Sequence, residues 1–274
     1  MVVPVMEETT THKHTRPVPL GKGVTAGGTD VVLMAGPCAV ESYEQTRAAA
    51  AVLAEHGVRV LRGGAYKPRT SPNTFQGLGE EGLRILRAVA DEFDMLVITE
   101  SLGVEHIPLV AEYADIIQIG SRNMQHYPLL WAAGETEMPV LLKRGFMSTV
   151  REWLLAAEHI ESRGNDRIML AERGVRSFDD ATRNVLDTSA IALARLESPY
   201  PVIGDPSHAT GRRDLVIAAA RSAVAAGADG LLVEVHPNPP EALSDGPQSL
   251  WLGQVPDLME QTRRIAAAMG RSLV

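Results

Sequence analysis

Residues 230–235 read Gly-Leu-Leu-Val-Glu-Val, a short run that is apolar at consecutive positions. Such a run is typical of a strand buried on both faces, as in a parallel sheet that is covered by helices. Seven similar runs precede it, at residues 31–35, 58–61, 95–99, 116–119, 140–143, 167–170 and 201–204. Polar or glycine-containing turns and helical patterns separate the runs, so the sequence predicts eight alternating strands and helices.

The helical patterns carry recognisable start signals. Ser42 precedes an alanine-rich segment that ends at Gly57, and Thr149 opens another amphipathic segment. Eight strand-helix units in 274 residues fit one closed (β/α)8 (TIM) barrel, which typically takes about 250 residues. Residues 36–41 read Gly-Pro-Cys-Ala-Val-Glu after the first strand, not Gly-x-Gly-x-x-Gly, so a dinucleotide-binding domain has no local support.

We therefore expect an α/β protein with one catalytic barrel over residues 30–274. Residues 1–29 are predicted to form an N-terminal leader, and the glycines at 21, 23, 27 and 28 favour a small hairpin that closes the barrel floor. We expect no appended regulatory domain.

Composition excludes several classes of protein. The chain is 45% apolar and 22% charged, with a net charge of -8 and no basic stripe that would bind nucleic acid. Its one cysteine, Cys38, cannot form an intramolecular disulfide, which favours the reducing cytoplasm. Arg221, Asp229 and Glu234 interrupt the most apolar long stretch, residues 215–235, so we expect no membrane span.

Barrel enzymes place their chemistry at the carboxyl ends of the strands. Four residues near these ends offer one thiolate, one imidazole and two carboxylates, a set that suits a divalent transition metal: Cys38, His208, Glu234 and Asp245. His236 is a rival ligand. Alternatively, Cys38 is a small core residue and His208 merely starts a helix.

A second group at the predicted strand ends is basic: Arg62, Lys67, Arg69, Arg122, Lys143 and Arg173. Gathering like charges in one mouth is costly unless an anion binds there, and the arginine fork fits phosphate best. Two phosphates would explain so many cations. Alternatively, each cation has a local carboxylate partner, for example Glu172 beside Arg173. A separate alternative concerns Lys143, which at a strand end could form a Schiff base with a carbonyl substrate.

Several long motifs resemble those of a known family, the type I beta 3-deoxy-D-arabino-heptulosonate 7-phosphate (DAHP) synthases. The resemblance runs from about residue 31 to residue 250 and includes every strand end named above. The motifs include Gly36-Pro-Cys-Ala-Val-Glu-Ser, Arg62-Gly-Gly-Ala-Tyr-Lys-Pro-Arg-Thr-Ser, Asp205-Pro-Ser-His-Ala-Thr-Gly-Arg-Arg and Glu234-Val-His-Pro-Asn-Pro. The family fold is a (β/α)8 barrel.

The resemblance implies an enzyme, 3-deoxy-7-phosphoheptulonate synthase. It condenses phosphoenolpyruvate with erythrose 4-phosphate and water, giving DAHP and phosphate in the first step of the shikimate pathway to the aromatic amino acids. It also implies that Cys38, His208, Glu234 and Asp245 hold a divalent metal. Manganese is the metal we expect, with cobalt, zinc or iron as alternatives, and we expect a homodimer or homotetramer.

The resemblance also implies roles for the remaining site residues. Arg122, Lys143 and Arg173 clamp the phosphate of phosphoenolpyruvate, while Arg62 and Lys67 lie near its carboxylate and reacting centre. The other substrate-binding residues are Arg69 and Thr70, for erythrose 4-phosphate, and Asp205. Glu100 orients the water and takes part in proton transfer with Lys67. Together with the metal ligands Cys38 and His208, they form the expected catalytic set: Lys67, Glu100, Cys38 and His208.

Three alternatives remain open. The sister enzyme 3-deoxy-D-manno-octulosonate 8-phosphate synthase uses arabinose 5-phosphate, and it typically carries Lys-Ala-Asn-Arg-Ser where this chain has Lys67-Pro-Arg-Thr-Ser. A paralogue from a specialised aromatic-precursor pathway would catalyse the same reaction. A noncatalytic phosphate-sensing barrel would have a broken set of ligands and cations, whereas this chain has both sets complete.

Overall fold

The strands of the central sheet all run parallel, and their order around the sheet follows their order along the chain. A computed structural model describes residues 15–68 and 71–274. Its strands are β1 (Val18–Gly21), β2 (Val24–Ala26), β3 (Asp30–Gly36), β4 (Val60–Arg62), β5 (Leu96–Ser101), β6 (Ile116–Ile119), β7 (Val140–Lys143), β8 (Ile168–Glu172), β9 (Val202–Gly204), β10 (Gly230–His236), β11 (Leu250–Trp251) and β12 (Ser272–Leu273).

The barrel strands are β3 to β10, and the sheet closes because β10 pairs with β3. Strands β3 to β10 follow one another, and β10 also pairs with β3 in the register Gly230 to Val32 through Glu234 to Gly36. Gly230 lies at a close approach, because a Cβ there would lie 2.6 Å from the carbonyl oxygen of Val32. The predicted (β/α)8 barrel is therefore confirmed.

Helices cover the outside of the barrel between successive strands. They are α1 (Tyr43–Glu55), α2 (Glu80–Glu92), α3 (Ile107–Tyr113), α4 (Tyr127–Gly134), α5 (Val150–Glu161), α6 (Thr188–Glu197), α7 (Pro206–Thr210), α8 (Arg213–Ala225) and α9 (Val255–Ala268). Short 3-10 turns lie at Val104–His106, Ser121–Asn123, Pro239–Glu241, Gly246–Gln248 and Leu252–Gln254. In the part of the chain that the structure describes, every helix is too short or too polar to cross a lipid bilayer.

Side-chain oxygens begin two of these helices where the sequence places the caps. Ser42 Oγ accepts a hydrogen bond from the backbone N–H of Gln45, and Thr149 forms a reciprocal capping box with Glu152. These bonds satisfy backbone donors that the first turn of a helix leaves free.

The apolar core has two layers. The outer layer lies between the barrel and its helices and includes the fully buried Trp153. The inner layer fills the barrel itself, and the short antiparallel hairpin of β1 and β2 packs against it through Val18, Leu20, Val24 and Ala26. The predicted hairpin is therefore present. Residues 1–14 of the predicted leader lie outside the described residues.

A buried carboxylate joins strands and helices far from the barrel mouth. Asp229 precedes β10 and is fully buried. Its Oδ1 lies 2.7 Å from Arg195 Nη1 and 3.0 Å from Arg271 Nη2, and its Oδ2 accepts a hydrogen bond of 2.9 Å from the Val202 amide. The carboxylate thus satisfies one backbone donor and two cations.

We predict that Asp229→Asn lowers the free energy of unfolding by about 3 kcal/mol, because it leaves two guanidinium groups without their counter-charge. Urea denaturation measures this. Asp214→Asn is the matched control: Asp214 pairs with Arg212 on the surface, and its replacement should leave stability essentially unchanged. Equal losses in the two variants would contradict the prediction.

Candidate active site at the carboxyl end of the barrel

Four potential metal ligands meet at the carboxyl end of the barrel. Cys38 follows β3, Glu234 lies in β10, His208 lies in α7 after β9, and Asp245 lies in the loop after β10. One ligand atom from each residue can be chosen so that all four lie within 4.8 Å of one another. One sulfur, one imidazole nitrogen and two carboxylate oxygens suit a divalent transition metal, so these residues fit such an ion.

The cluster is tightly connected through its own side chains. Glu234 Oε1 lies 3.2 Å from His208 Nε2, and Cys38 Sγ lies 3.3 Å from Asp245 Oδ2. Burial, reinforced by nearby Glu234, raises the pKa of the Cys38 thiol to about 12. The thiol is therefore protonated in the metal-free protein at neutral pH, and a bound metal must displace its proton.

Asp205 fixes the orientation of the His208 ring. Its Oδ2 lies 2.8 Å from His208 Nδ1, which leaves Nε2 directed at Glu234. The same carboxylate lies 2.6 Å from Lys143 Nζ, and the effect of burial is outweighed by His208 and Lys143, which hold the pKa of Asp205 well below its usual range. Carboxylates commonly orient metal-ligating histidines in this way. Asp205, predicted to bind substrate, is thus engaged by protein side chains.

His236, the rival ligand, lies apart from the cluster. Its Nε2 lies 3.4 Å from Glu41 Oε2, and its Nδ1 accepts a hydrogen bond from the Asn238 amide. Glu41 Oε1 in turn accepts a hydrogen bond of 2.8 Å from the Leu243 amide. His236 and Glu41 therefore support the loop that carries Asp245, and they supply no ligand atom to the cluster.

The predicted basic residues divide into paired and unpaired cations. Arg62 Nη1 lies 2.9 Å from Glu234 Oε1, and Lys67 Nζ lies 3.0 Å from both the carbonyl oxygen and the Sγ of Cys38. Among the described residues, Arg122 and Arg173 have no carboxylate within ion-pair distance. Arg69, together with Thr70, lies outside the described residues.

The alternative in which Glu172 pairs with Arg173 is not found. Glu172 Oε2 lies 2.9 Å from Arg144 Nη1, and its Oε1 accepts a hydrogen bond from the Gly174 amide. The carboxylate is therefore directed away from Arg173, although the two residues are adjacent in sequence. Burial lowers the pKa of Arg173 to about 10, which still leaves it charged at neutral pH.

An aromatic ring supports the unpaired arginines. The guanidinium carbons of Arg122 and Arg173 lie 5.5 Å and 4.6 Å from the centre of the Phe146 ring, and that of Arg176 lies at 5.3 Å. Cation–π attraction at these distances orients guanidinium groups without neutralising them. The two arginines thus remain available to an anion.

Two of the candidate metal ligands, His208 and Asp245, line one cavity of about 320 Å³ together with the unpaired cations. Its lining includes Lys67, Glu100, Arg122, Lys143, Phe146, Arg173, Arg183, His208 and Asp245. Pro68 and Ser71, which flank the undescribed pair 69–70, also line it. Glu100 Oε2 accepts a hydrogen bond of 3.2 Å from Gln118 Nε2, so its carboxylate is held at the wall of the cavity.

Sequence reasoning missed three residues at this site. Phe146 and Arg183 line the cavity, and Gln248 donates a hydrogen bond of 2.5 Å to Glu234 Oε2. Phe146 lies three positions after Lys143 and Gln248 three after Asp245, so proximity to predicted site residues was their only signal. Arg183 lies in a long loop with no comparable marker.

The closed barrel, together with the cavity and the polar residues at the barrel mouth, is typical of a (β/α)8-barrel enzyme. A model of the family described as "DAHP synthetase I family" matches residues 7–269. The chain belongs to the DAHP synthetase I family. It is therefore an enzyme of the synthase or aldolase type.

The names of individual relatives are consistent with this family. The Thermotoga maritima protein named phospho-2-dehydro-3-deoxyheptonate aldolase is 55% identical over 247 residues, which cover 90% of this chain and 73% of that relative. A crystal structure of phospho-2-dehydro-3-deoxyheptonate aldolase (DAHP synthase) from the same organism superposes with a TM-score of 0.93 at 53% identity, covering 96% of this chain and 77% of that one. A 2-dehydro-3-deoxyphosphooctonate aldolase from Syntrophotalea carbinolica is 37% identical over 263 residues, 89% of this chain and 94% of that relative.

The two histidines at this rim provide a matched test of the metal site. We predict that His208→Asn loses Mn2+ binding, because it removes one of the four clustered ligand atoms, whereas His236→Asn retains it, since His236 contacts Glu41 instead. Electron paramagnetic resonance titration of the substrate-free proteins measures both. Retained binding in His208→Asn together with loss in His236→Asn would show that the ligand set is wrong.

Proposed function

We propose that the chain catalyses the condensation of phosphoenolpyruvate with erythrose 4-phosphate and water, releasing DAHP and inorganic phosphate at the start of the shikimate pathway. The observation that carries the proposal is one cavity lined both by two members of the four-residue candidate metal site, His208 and Asp245, and by two arginines without carboxylate partners among the described residues. The relative that is 55% identical has a name that denotes the same product.

The unpaired cations provide the binding site for phosphoenolpyruvate. Arg122 and Arg173 clamp its phosphate together with Lys143, and the shared Phe146 ring keeps both guanidinium groups directed into the cavity. Arg62 and Lys67, buried beside Cys38 and Glu234, are placed towards its carboxylate and reacting carbon. Since arginine forks bind phosphate through parallel hydrogen bonds, the clamp fixes orientation as well as charge.

Cys38, His208, Glu234 and Asp245 hold a divalent metal, for which manganese is our proposal. When bound, this metal supplies a Lewis acid for the aldehyde oxygen of the sugar. The residues around the cluster exclude bulk water: Cys38 and Glu234 are almost completely buried, and Arg62 and Lys67 close one side. A metal-ligating thiol also requires a reducing compartment, which favours the cytoplasm.

Arg69 and Thr70 are proposed to bind the phosphate of erythrose 4-phosphate. Their neighbours in the sequence, Pro68 and Ser71, line the same cavity as the phosphoenolpyruvate clamp. The cations hold two mutually repelling anions close together, which converts a bimolecular step into one within a complex.

With both substrates held, C3 of phosphoenolpyruvate forms a bond to C1 of the aldose, and C2 becomes electron-deficient. Water oriented by Glu100 adds at C2. Glu100 accepts a proton from this water, and Lys67 donates a proton to the aldose oxygen as C1 becomes an alcohol; the proton on Glu100 then restores Lys67. The resulting hemiketal phosphate breaks the bond from C2 to the phosphate oxygen, which forms the C2 carbonyl, and the proton of the C2 hydroxyl leaves with inorganic phosphate. Gln118, which donates to Glu100 Oε2, fixes the carboxylate for this role.

Two other reactions can be distinguished from the proposed one by experiment. The octulosonate 8-phosphate synthase reaction uses the same phosphoenolpyruvate site with a longer aldose, and a relative named for that product is 37% identical. A Schiff base on Lys143 requires a free amine. Burial lowers the pKa of Lys143, but its Nζ lies 2.6 Å from the Asp205 carboxylate, which favours an ammonium group in an ion pair.

The proposed reaction is tested by measuring phosphate release with phosphoenolpyruvate and either erythrose 4-phosphate or arabinose 5-phosphate, in the presence of Mn2+. We expect kcat/KM to be higher with erythrose 4-phosphate, activity to disappear with a chelator, and borohydride to leave Lys143 unmodified. A higher kcat/KM with arabinose 5-phosphate would assign the sister reaction, and borohydride trapping of Lys143 would assign a Schiff-base mechanism.

The arginine clamp yields a further prediction. Phe146→Leu removes the ring that supports Arg122 and Arg173, so KM for phosphoenolpyruvate should rise by about 2- to 30-fold, the range that cation–π energies allow, with little change in kcat. Phe93→Leu is the matched control, since Phe93 supports Arg47 at 5.5 Å on the outside of the barrel. If both variants keep the wild-type KM, the ring has no part in substrate binding.

A further inference from the structure

The loop between β8 and α6 is fastened beside the metal cluster by its backbone. Val175 and Val185 pair through two hydrogen bonds of 3.0 Å and 2.9 Å, which close the loop at its base. Next to this pair, the Arg183 and Asn184 amides donate to the carbonyl oxygens of Thr210 and Ala209. Residues 209 and 210 belong to α7, the helix that carries His208, so the backbone of Arg183 is held to that helix.

From this position Arg183 reaches the outer side of one candidate ligand. Its Nη1 lies 3.1 Å from Asp245 Oδ1. The other carboxylate oxygen, Oδ2, faces the cluster, where it lies 3.3 Å from Cys38 Sγ and 3.8 Å from His208 Nε2. The two oxygens of Asp245 thus have separate tasks: one is held by Arg183, and the other is free to ligate.

The same guanidinium nitrogen reaches a second candidate ligand through Gln248. Arg183 Nη1 donates to Gln248 Oε1 at 3.0 Å, and Gln248 Nε2 donates to Glu234 Oε2 at 2.5 Å. Since the other oxygen of Glu234 lies 3.2 Å from His208 Nε2, this carboxylate is also held from outside and directed inward. Gln248 is buried, and its amide orientation follows from these two bonds.

Side-chain support matters more for Asp245 than for Glu234, because Asp245 lies in a loop and its side chain is partly exposed. Asp245 has a φ of 54°, in the left-handed region, and lies in a loop rather than in a strand. Its side chain is 23% exposed, so without a partner it has room to turn toward solvent. Glu234, in contrast, lies in β10 and is almost completely buried.

We propose that Arg183 is a positioning residue for the metal site, orienting Asp245 directly and Glu234 through Gln248. The role rests on the metal site in the proposed function, and it concerns affinity for the ion rather than the chemistry of the substrates. Groups that hold ligands in this way are typically worth about 10- to 100-fold in metal affinity.

The sign of the effect separates this role from simple electrostatics. Arg183→Gln removes a positive charge near a cation site, so Coulomb's law alone predicts tighter Mn2+ binding. Loss of orientation predicts weaker binding. We expect the Kd for Mn2+ of the substrate-free protein, measured by electron paramagnetic resonance titration, to rise about 10- to 100-fold in Arg183→Gln.

Two further variants and a control complete the experiment. Arg183→Lys should bind Mn2+ with intermediate affinity, because one ammonium group reproduces the charge but not the planar fork. Gln248→Leu should weaken binding by releasing Glu234 alone. Arg221→Gln, an exposed change of equal charge on α8, should leave the Kd unchanged. Thermal unfolding of each metal-free protein checks that it folds.

The outcomes are distinguishable. An unchanged or lower Kd in Arg183→Gln overturns the positioning role, and a raised KM for a substrate at unchanged Kd for Mn2+ assigns Arg183 to substrate binding instead. If Arg183→Gln fails to fold, wild-type Mn2+ affinity in Arg183→Lys and Gln248→Leu would overturn the role. Retained Mn2+ binding in Cys38→Ala would show that the proposed metal site itself is wrong.

Discussion

The parallel pairing of β10 with β3 is the contact on which the rest of the structure depends. It joins segments about 200 residues apart, from Val32–Gly36 to Gly230–Glu234, and so closes the barrel. It also sets Cys38, two residues beyond the end of β3, beside Glu234 in β10. The cluster of candidate metal ligands is therefore a direct consequence of closure: Cys38 and Glu234 are far apart in the chain, and an open sheet would leave them apart in space.

Closure brings many charges into one mouth, and their partners divide the cations there into two sets. Three cations each lie beside a buried carboxylate: Arg62 beside Glu234, Lys143 beside Asp205, and Arg144 beside Glu172. Arg122 and Arg173 instead lie against the Phe146 ring. Because a phenyl ring leaves their charge available, these two arginines are best suited to an external anion, and Lys143 lines the same cavity although it is paired.

The sequence was enough to predict where many site residues lie, but not which partner each of them contacts. Residues within or directly after strands could be placed, since parallel strands deliver their carboxyl ends to one rim, and this was enough to bring Cys38 and Glu234 together. Adjacency was a poor guide to pairing: Glu172 turns to Arg144 rather than to Arg173, and His236, two residues after Glu234, turns to Glu41. Alternation along a strand separates Glu172 from Arg173, but it places residues 234 and 236 on the same face. Only the packed structure shows that His236 meets Glu41.

The contacts of loop residues are harder to predict from sequence than those of strand residues, for a physical reason. Asp245 was predicted by its residue type, yet the group that orients it, Arg183, lies 62 positions earlier in a loop without strand or helix periodicity. Strand residues inherit their geometry from the sheet, so Glu234 needs few additional contacts to face the cluster. A ligand on a loop obtains its geometry from side chains of other loops, and those contacts have no spacing in the sequence to reveal them. The barrel thus fixes half of the cluster through its backbone, and the loops fix the rest through side-chain contacts between Arg183, Gln248 and Asp245.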